Sequence, residues 1–314
     1  MMSKCLYCYK EVSGESDFHQ ACSLRFFGTK TPPKIAHSIQ EMKELAKQVV
    51  ERSIAVPGVQ PKISMSIFDN NSDQRLTVVG ALGGNYIFKP PSEHFPEMPA
   101  NEHVTMKMAE LFNISVVPHS LIRLSSGELS YITKRIDRKE DGSKIHMIDM
   151  FQVVEAFDKY RGSMERIGKA VLEYAENTLL DILRLFELTV FSYLTGNNDM
   201  HLKNFSLIKA DYGWTLSPAY DLLNISIVNP DDQEELALTL AGKKKKITRK
   251  LLVDFGLGLE LTPKQINGVF KRFQKSKNKA IDLIHNSFLS EEMQKSYIKL
   301  LENRYEILLK ENEL

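Results

Sequence analysis

Two loop motifs near the middle of the chain constrain its fold more than any other feature. Residues 196–205 read Gly-Asn-Asn-Asp-Met-His-Leu-Lys-Asn-Phe, and residues 217–221 read Ser-Pro-Ala-Tyr-Asp. In this pattern Asp199 can orient an attacking hydroxyl, while Asn204 and Asp221 offer oxygen ligands of the kind that Mg²⁺ prefers. The spacing therefore predicts a fold that carries a site for phosphoryl transfer.

The segment between the two motifs predicts a β-hairpin. Residues 205–208 and 214–217 are strand-like, and they flank the turn-forming residues 209–213. Such a hairpin would return Asp221 to the side of Asn204. The alternative is that these side chains only cap turns, as Asn and Asp in loops usually do.

A lysine and a glutamate upstream favour a two-lobed site over isolated turns. Lys89 ends a strand-like run, and Glu102 lies on the helix that is predicted next. A kinase places its phosphate-binding lysine on such a strand and holds it with a helical glutamate. We therefore predict catalytic roles for Lys89, Asp199, Asn204 and Asp221, with Glu102 in support.

Composition limits the class of protein. The 314 residues are 43% hydrophobic and 26% charged, which is ordinary for a globular chain with room for about two domains. A net charge of +1 indicates no general attraction to nucleic acid or to membranes. No apolar run could span a bilayer, and the first residues lack the apolar core of a signal peptide. We expect a cytoplasmic protein, and export by a route without such a signal stays open.

Hydrophobic periodicity divides the chain into three predicted parts. Residues 1–34 form a small Cys/His knuckle, residues 35–145 a β-rich nucleotide-binding lobe and residues 146–314 a helical catalytic lobe. Strands are predicted over 63–68, 74–79, 86–89, 114–124 and 130–135. Helices are predicted over 38–52 (capped by Ser38), 101–113 (capped by Asn101), 178–194 (with Thr178 and Asp181 as a capping box), 263–275, 278–287 and 290–310. The expected class is α+β, a protein-kinase-like two-lobed fold with an N-terminal knuckle.

The knuckle contains all three cysteines of the chain. Cys5 and Cys8, then His19 and Cys22, form a Cys₃His set with short paired spacings. Such a set suits a tetrahedral, structural Zn²⁺. A hydrophobic knuckle with free thiols, or one that has lost its metal, is the alternative.

Seven segments, in this order, resemble the HipA-like serine/threonine kinases, the toxins of bacterial toxin–antitoxin operons. They are residues 58–62 (Gly-Val-Gln-Pro-Lys), 86–90 (Tyr-Ile-Phe-Lys-Pro), 101–102 (Asn-Glu), 134–138 (Lys-Arg-Ile-Asp-Arg), the two loop motifs, and 236–238 (Leu-Ala-Leu) before Gly242. The chain looks most similar to the short HipT type, in which a separate small protein supplies the N-terminal subdomain.

The resemblance implies a bacterial kinase that uses ATP and Mg²⁺. It implies that Lys89 contacts phosphates, that Asp199 is the catalytic aspartate, and that Asn204 and Asp221 bind the metal. The ATP site would further include the loop residues Gly58, Val59, Gln60 and Lys62, together with His201, which we expect to order the catalytic loop.

The segment between the predicted lobes offers two more residues for the ATP site. Met147 and Asp149 lie in the run His146-Met-Ile-Asp-Met150, which could be the hinge that holds adenine. An apolar run that merely links two lobes has the same appearance.

The resemblance also implies autophosphorylation in the loop before the first strand of the β-rich lobe. HipT-like members carry a Ser-Ile-Ser arrangement there; this chain has Ser53-Ile54-Ala55, so only Ser53 matches. A phosphate on Ser53 would add about two negative charges and should repel nucleotide. The alternative is that Ser53 caps a turn.

Substrate and partners are implied by resemblance alone. They are an aminoacyl-tRNA synthetase or a similar translation protein as substrate, and small antitoxins of the HipS and HipB types as partners. Lys243–Lys246 could contact tRNA or an acidic surface, although a solvated loop is the simpler interpretation. The competing functions are a small-molecule phosphotransferase of the same fold and an ATP-binding pseudokinase.

Overall fold

The computed structural model describes residues 3–14, 16–52, 62–69, 74–79, 83–92, 95, 97–139 and 141–309. The chain divides into two compact units, residues 1–103 with 117–144, and residues 104–116 with 145–314. Both strands and helices are present, as the predicted α+β class requires. In the part of the chain that the structure describes, no helix has the length and apolar character needed to cross a membrane.

The first unit contains eight of the strands found among the described residues. They are Ser3–Lys4 (β1), Glu11–Val12 (β2), Lys34–Ile35 (β3), Ile63–Asp69 (β4), Gln74–Val78 (β5), Tyr86–Lys89 (β6), His119–Arg123 (β7) and Leu129–Lys134 (β8). Strands β3 to β8 form a sheet in the order β3-β5-β4-β6-β8-β7, in which only the β3–β5 pair is parallel. Alternating buried and more exposed residues at the start of β4 produce the period-two pattern that predicts a strand over residues 63–68.

Two helices of the first unit precede β4 in the chain. They are Gln20–Phe27 (α1), which ends at Gly28 in the left-handed conformation, and Ile39–Arg52 (α2). The predicted cap of α2 is confirmed, because the Ser38 amide donates to the Glu41 carboxylate at 2.7 Å and the Ser38 hydroxyl accepts from the Glu41 amide.

Helix α3, Met98–Leu111, begins in the first unit and ends in the second. The prediction that Asn101 caps it is wrong, since the Asn101 amide already donates to the Glu97 carbonyl at 2.9 Å. Pro99 in the first turn explains the earlier start, because proline lacks only an amide that has no helical partner at that position.

The second unit is mainly helical. Its helices are the remainder of α3, Met150–Val153 (α4), Met164–Tyr174 (α5), Thr178–Leu194 (α6), Arg249–Gly258 (α7), Pro263–His285 (α8) and Glu291–Leu309 (α9). Helix α8 replaces the two helices predicted over 263–287, since no proline or glycine interrupts its second half. Its capping box at Thr262 and Gln265 confirms the predicted start.

Helix α6 forms the centre of this unit. Phe191 packs edge-to-face against Phe112, whose ring lies 4.8 Å from that of Phe273. The predicted capping box of α6 is wrong: Asn177 occupies the cap position, and Asp181 is fully buried. The Asp181 carboxylate instead accepts hydrogen bonds from strand residues described below.

A small antiparallel sheet completes the second unit. Its strands are Met147–Asp149 (β9), Ser206–Ala210 (β10) and Gly213–Leu216 (β11), in the order β11-β10-β9. The predicted hairpin between the two loop motifs is therefore confirmed as β10–β11. Asp181 anchors β11, because its carboxylate accepts from the Thr215 hydroxyl at 2.8 Å and from the Leu216 amide at 3.0 Å.

Candidate active site

The loop that leaves α6 turns sharply at Gly196. Its φ of +66° lies in the left-handed region, and a Cβ at this position would be 2.8 Å from the Asn224 amide oxygen. The Gly196 carbonyl accepts from the amides of Ile225 and Ser226. Glycine is thus needed both for the backbone conformation and for the close approach of the 224–226 segment.

Two asparagines hold the loop before Asp199. The Asn197 side-chain oxygen accepts from the Asp199 backbone amide at 3.3 Å, and the Asn197 backbone amide donates to the Ser192 carbonyl at 2.9 Å. The Asn198 side chain donates to the Asp232 carboxylate at 2.9 Å. Asn197 is fully buried, so these bonds fix the backbone from which Asp199 projects.

The Asp199 carboxylate is half-buried and receives a tyrosine hydroxyl. Tyr160, between α4 and α5, donates to Asp199 Oδ1 at 2.7 Å. The Tyr160 ring also packs edge-on against His201 with ring centres 5.1 Å apart. Burial, and next the charge of Asp199, raises the pKa of Tyr160, so this hydroxyl remains a donor.

Asn204 ends the 3₁₀ turn Leu202–Asn204 and is bonded back to Asp199. Its side-chain NH₂ donates to the Asp199 carbonyl at 2.9 Å, and it is almost fully buried. Since the amide nitrogen is used in this way, the Asn204 side-chain oxygen is the atom left to accept or to ligate.

Asp221 is brought to the same loop through its neighbour Tyr220. The Tyr220 hydroxyl bonds the Ser206 hydroxyl at 2.6 Å and donates to the Lys203 carbonyl at 3.0 Å. Asp221 itself has a left-handed φ of 59°, which is uncommon for a non-glycine residue and often marks a functional position.

His201 lies in the loop between Asp199 and Asn204 and is almost fully buried. Burial lowers the pKa of His201 below its usual 6.5, against the opposing charges of Asp199 and Asp221. Tyr160 contacts both Asp199 and His201, and Asn204 is bonded to the Asp199 carbonyl. The bond from Tyr220 to the Lys203 carbonyl joins the residue next to Asp221 to the same loop of the second unit.

Lys89 and Glu102 form a pair in the first unit. The Lys89 Nζ lies 2.6 Å from the Glu102 carboxylate, and both residues are almost fully buried. Lys89 is the last residue of β6 and also lies over the Tyr131 ring, 5.3 Å from its centre. A buried ammonium held by a buried carboxylate is an oriented cation, which is the property that phosphate binding uses.

The remaining residues that were predicted for the ATP site are not part of the Asp199 loop or of the Lys89–Glu102 pair. Met147 and Asp149 lie on β9, and the Asp149 side chain caps α4 by accepting from the Gln152 amide. Lys62 is exposed at the start of β4. Ser53, Gly58, Val59 and Gln60 lie outside the described residues.

The four knuckle side chains converge as a metal site would require. The ligand atoms of Cys5, Cys8, His19 and Cys22 all lie within 4.8 Å of one another. His19 Nε2 is 2.8 Å from the Glu11 carbonyl, while Nδ1 lies 3.4 Å from the Cys8 sulfur and 3.7 Å from that of Cys22. A carbonyl acceptor on the outer nitrogen orients the inner nitrogen as a ligand.

The thiols of this cluster are electrostatically unlike. Burial, and next the charge of Cys5, raises the pKa of the Cys22 thiol to about 12. The pKa of Cys5 is lowered, because hydrogen bonds from the backbone of His19, Tyr7 and Cys8 outweigh its burial. Several thiolates can share this space only beside a cation.

Sequence reasoning missed Tyr160 and the role of Tyr220. Tyr160 is 39 residues from Asp199 along the chain, and no local pattern marks it. Tyr220 belongs to the second motif, but only the fold shows that its hydroxyl bridges Ser206 and Lys203. The position of Tyr220 directly before the candidate metal ligand Asp221 was the one sequence signal that could have suggested these hydrogen bonds.

Comparison with known proteins gives a consistent result. A family model described as HipA-like C-terminal domain matches residues 54–281. A Sinorhizobium fredii protein named "Putative kinase Y4dM" is 30% identical over 255 residues, covering 76% of this chain and 60% of that protein. The serine/threonine-protein kinase toxin HipA of Shewanella oneidensis is 24% identical over 214 residues, covering 60% of this chain and 46% of that toxin. The chain thus spans about half the length of the curated relatives it matches.

A solved structure shares the fold. The HipA chain in a complex of Shewanella oneidensis HipA, HipB and operator DNA superimposes with a TM-score of 0.69 at 20% identity, covering 86% of this chain and 70% of that one. This likeness confirms the expected kinase-like α+β fold.

Proposed function

Because the chain belongs to the family of HipA-like C-terminal domains, we propose that it is a kinase that transfers the γ-phosphate of ATP to serine or threonine of a protein. The observation that carries the proposal is the cluster of Asp199, Asn204 and Asp221 on one loop and hairpin of the second unit. Phosphoryl transfer needs an oriented hydroxyl, a metal on the phosphates and a cation near them, and little covalent work from the protein.

Each residue of the cluster has a role that its contacts support. Asp199 would accept the proton of the attacking hydroxyl, and the Tyr160 hydroxyl would hold its carboxylate in one orientation. Lys89 would contact the phosphates while Glu102 holds its ammonium. Gly58, Val59, Gln60 and Lys62 would complete the nucleotide site, with Met147 and Asp149 beside adenine.

The donor chemistry fits Mg²⁺. Asn204 has its amide nitrogen bonded to the Asp199 carbonyl, so its oxygen is the free ligand, and Asp221 adds a carboxylate. Hard oxygen donors of this type suit Mg²⁺. The ion would supply neutralisation of phosphate charge, while the protein holds the acceptor and excludes water.

We also propose that the knuckle binds a structural Zn²⁺. Four ligand atoms of the Cys₃His type lie within 4.8 Å of one another, and the Glu11 carbonyl orients His19. Four protein ligands leave no open coordination position, which argues for a structural rather than a catalytic ion.

We propose partners and regulation from the likeness to HipA proteins. The solved relative is a HipA in complex with HipB and DNA, which supports a small antitoxin of the HipB or HipS type as partner for this chain. An aminoacyl-tRNA synthetase or similar translation protein is the proposed substrate. Autophosphorylation of Ser53 would place negative charge close to the nucleotide and lower its affinity.

The test compares classes of phosphate acceptor. The purified protein is incubated with Mg²⁺ and γ-labelled ATP, once with a bacterial lysate and once with a panel of aminoglycosides, sugars and lipid head groups. Label on serine or threonine of proteins is expected. Label on a small acceptor alone would replace the proposal with a small-molecule phosphotransferase, and nucleotide binding without transfer would indicate a pseudokinase.

A further inference from the structure

A line of buried side chains connects the knuckle with the Lys89–Glu102 pair. It begins at Tyr9, whose hydroxyl lies 2.8 Å from His103 Nδ1, with the two rings edge-to-face at 5.2 Å. His103 directly follows Glu102 on α3 and is fully buried. The knuckle therefore contacts the residue next to the one that holds Lys89.

The line continues across the sheet to Lys89 itself. The His103 ring lies 5.0 Å from His119 on β7, and His119 stacks on Tyr131 of β8 at 6.1 Å. The Tyr131 ring lies under the Lys89 ammonium at 5.3 Å. All these residues belong to the first unit and are at most 5% exposed, so a shift of one ring displaces the next.

A second contact reaches the strand that carries Lys89. Phe26 and Phe27 at the end of α1 pack on Tyr86, the first residue of β6, with ring centres 5.9 and 6.2 Å apart. All three rings are buried. The knuckle thus contacts both elements that present the pair, the strand through Tyr86 and the helix through His103.

Tyr9 depends on the cysteine turn for its position. It follows Cys8 directly, and its φ of 65° is left-handed, a conformation that is unfavourable for a non-glycine residue. The turn is closed by bonds from the Tyr9 amide to the Cys5 carbonyl and from the Cys5 amide to the Lys10 carbonyl, both 2.9 Å. A metal bound by Cys5 and Cys8 would hold this turn at its two ends.

We propose that the knuckle positions the Lys89–Glu102 pair, with Tyr9 as the positioning residue and metal occupancy as the input. The inference rests on the proposed function, because it assumes that Lys89 contacts the phosphates of ATP. Loss of the metal releases the turn and Tyr9 leaves His103. The Lys89 ammonium then loses its orientation, although no knuckle residue contacts the nucleotide. Zinc supply to the knuckle would then control a phosphate-binding lysine.

Calorimetric titration with Mg·ATP and, separately, with adenosine tests the inference. Tyr9→Phe keeps the ring and removes only the hydroxyl; Tyr212→Phe is the matched control, since Tyr212 is exposed and lies in the second unit. We expect Tyr9→Phe to weaken Mg·ATP binding roughly 5- to 20-fold and to leave adenosine binding unchanged, because only the phosphate contacts depend on Lys89. Tyr212→Phe should bind both ligands like wild type. A purely structural role would weaken both ligands alike or neither.

Removal of the metal provides the second arm. After chelation, Mg·ATP affinity should fall as in Tyr9→Phe, and amide exchange should accelerate over residues 86–89 and 98–103 but not over 263–285. If chelation unfolds the protein, the Mg·ATP and adenosine titrations of Tyr9→Phe, which retains its metal, still test the inference. Wild-type affinity in Tyr9→Phe overturns the inference. If wild type binds no Mg·ATP, the proposed function fails, and unchanged exchange at 86–89 on metal removal then overturns the inference separately.

Discussion

The Tyr160 hydroxyl donates to the Asp199 carboxylate at 2.7 Å, although 39 residues separate them in the chain. This bond restricts the carboxylate to one orientation, and proton transfer depends on orientation. We predict that Tyr160→Phe lowers the rate of phosphate transfer about 3- to 10-fold, since a hydrogen bond to a charged group contributes more than a neutral one.

The melting temperature of Tyr160→Phe should stay close to that of wild type, because Tyr160 is 40% exposed. Tyr212→Phe at the tip of the β10–β11 hairpin is the matched control and should transfer at the wild-type rate. Faster transfer by Tyr160→Phe would contradict the prediction and would show that the bond holds Asp199 in an inactive position.

Because Lys89 and Glu102 form a buried pair, we predict that substitutions at both positions can restore the stability of the protein without restoring nucleotide binding. Glu102→Leu leaves the Lys89 ammonium buried without its carboxylate and should cost about 3–5 kcal/mol in the free energy of unfolding. The double variant Lys89→Met, Glu102→Leu should recover most of this stability and yet fail to bind Mg·ATP. Urea denaturation and calorimetric titration check the two parts; recovery of nucleotide binding in the double variant would refute the role of Lys89.

Asp181 should be a structural residue of the active-site hairpin. Its fully buried carboxylate accepts from Thr215, from the Leu216 amide and from Arg184, and so ties α6 to β11. Asp181→Ala leaves a strand amide and a hydroxyl unpaired, and we expect a loss of about 3 kcal/mol in unfolding free energy. Urea denaturation beside the exposed Asp211→Ala measures this; equal midpoints would show that the bonds contribute little.

Asp137 predicts one part of the acid sensitivity of the first unit. Burial would raise the pKa of its carboxyl, but hydrogen bonds and charge from Arg135, with Arg138, lower it below its usual 3.8. A lowered pKa contributes stability that is complete above the unfolded value and is lost as pH falls through the folded value. Between about pH 5 and pH 2, thermal stability should therefore fall less in Asp137→Asn than in wild type. If the thermal stabilities of wild type and Asp137→Asn fall in parallel with pH, Asp137 makes no such contribution.

The knuckle should contain one zinc ion per chain when the protein is prepared without chelators. Elemental analysis of wild type and Cys8→Ser measures this, with His285→Ala as the control for an exposed histidine. We expect stoichiometric zinc in wild type and in the control, and a loss in Cys8→Ser. Zinc-free wild type, with the three cysteines still reduced, would remove the assignment.

The sequence predicted those features that arise from local patterns. Strand-like runs beside turn residues located β4, β5, β6 and β8 to within one residue, and the strand-like segments on either side of residues 209–213 predicted the hairpin β10–β11. The Cys₃His spacing anticipated a cluster that the fold does assemble. These predictions are correct because alternation, turns and ligand spacing are properties of short segments.

Features that depend on tertiary contacts were not predictable in this way. Asp181 matched a capping box, but the proximity of β11 gives its carboxylate stronger partners. Tyr160 and the line from Tyr9 to Lys89 join residues far apart in sequence, and no periodicity reveals them. The start of α3 was missed because proline is tolerated in a first turn, where its absent amide is not needed.

The role of Asp199 in phosphate transfer is measured by the initial rate of γ-phosphate transfer to protein by purified wild type, Asp199→Asn and Asp211→Asn, at saturating Mg·ATP. Asp211 is an exposed aspartate of the same hairpin and provides the matched control. We predict transfer to serine or threonine by wild type and Asp211→Asn, and a loss of at least about 100-fold in Asp199→Asn with Mg·ATP still bound. Transfer by Asp199→Asn at the wild-type rate, or no transfer by wild type to any protein, would contradict this prediction.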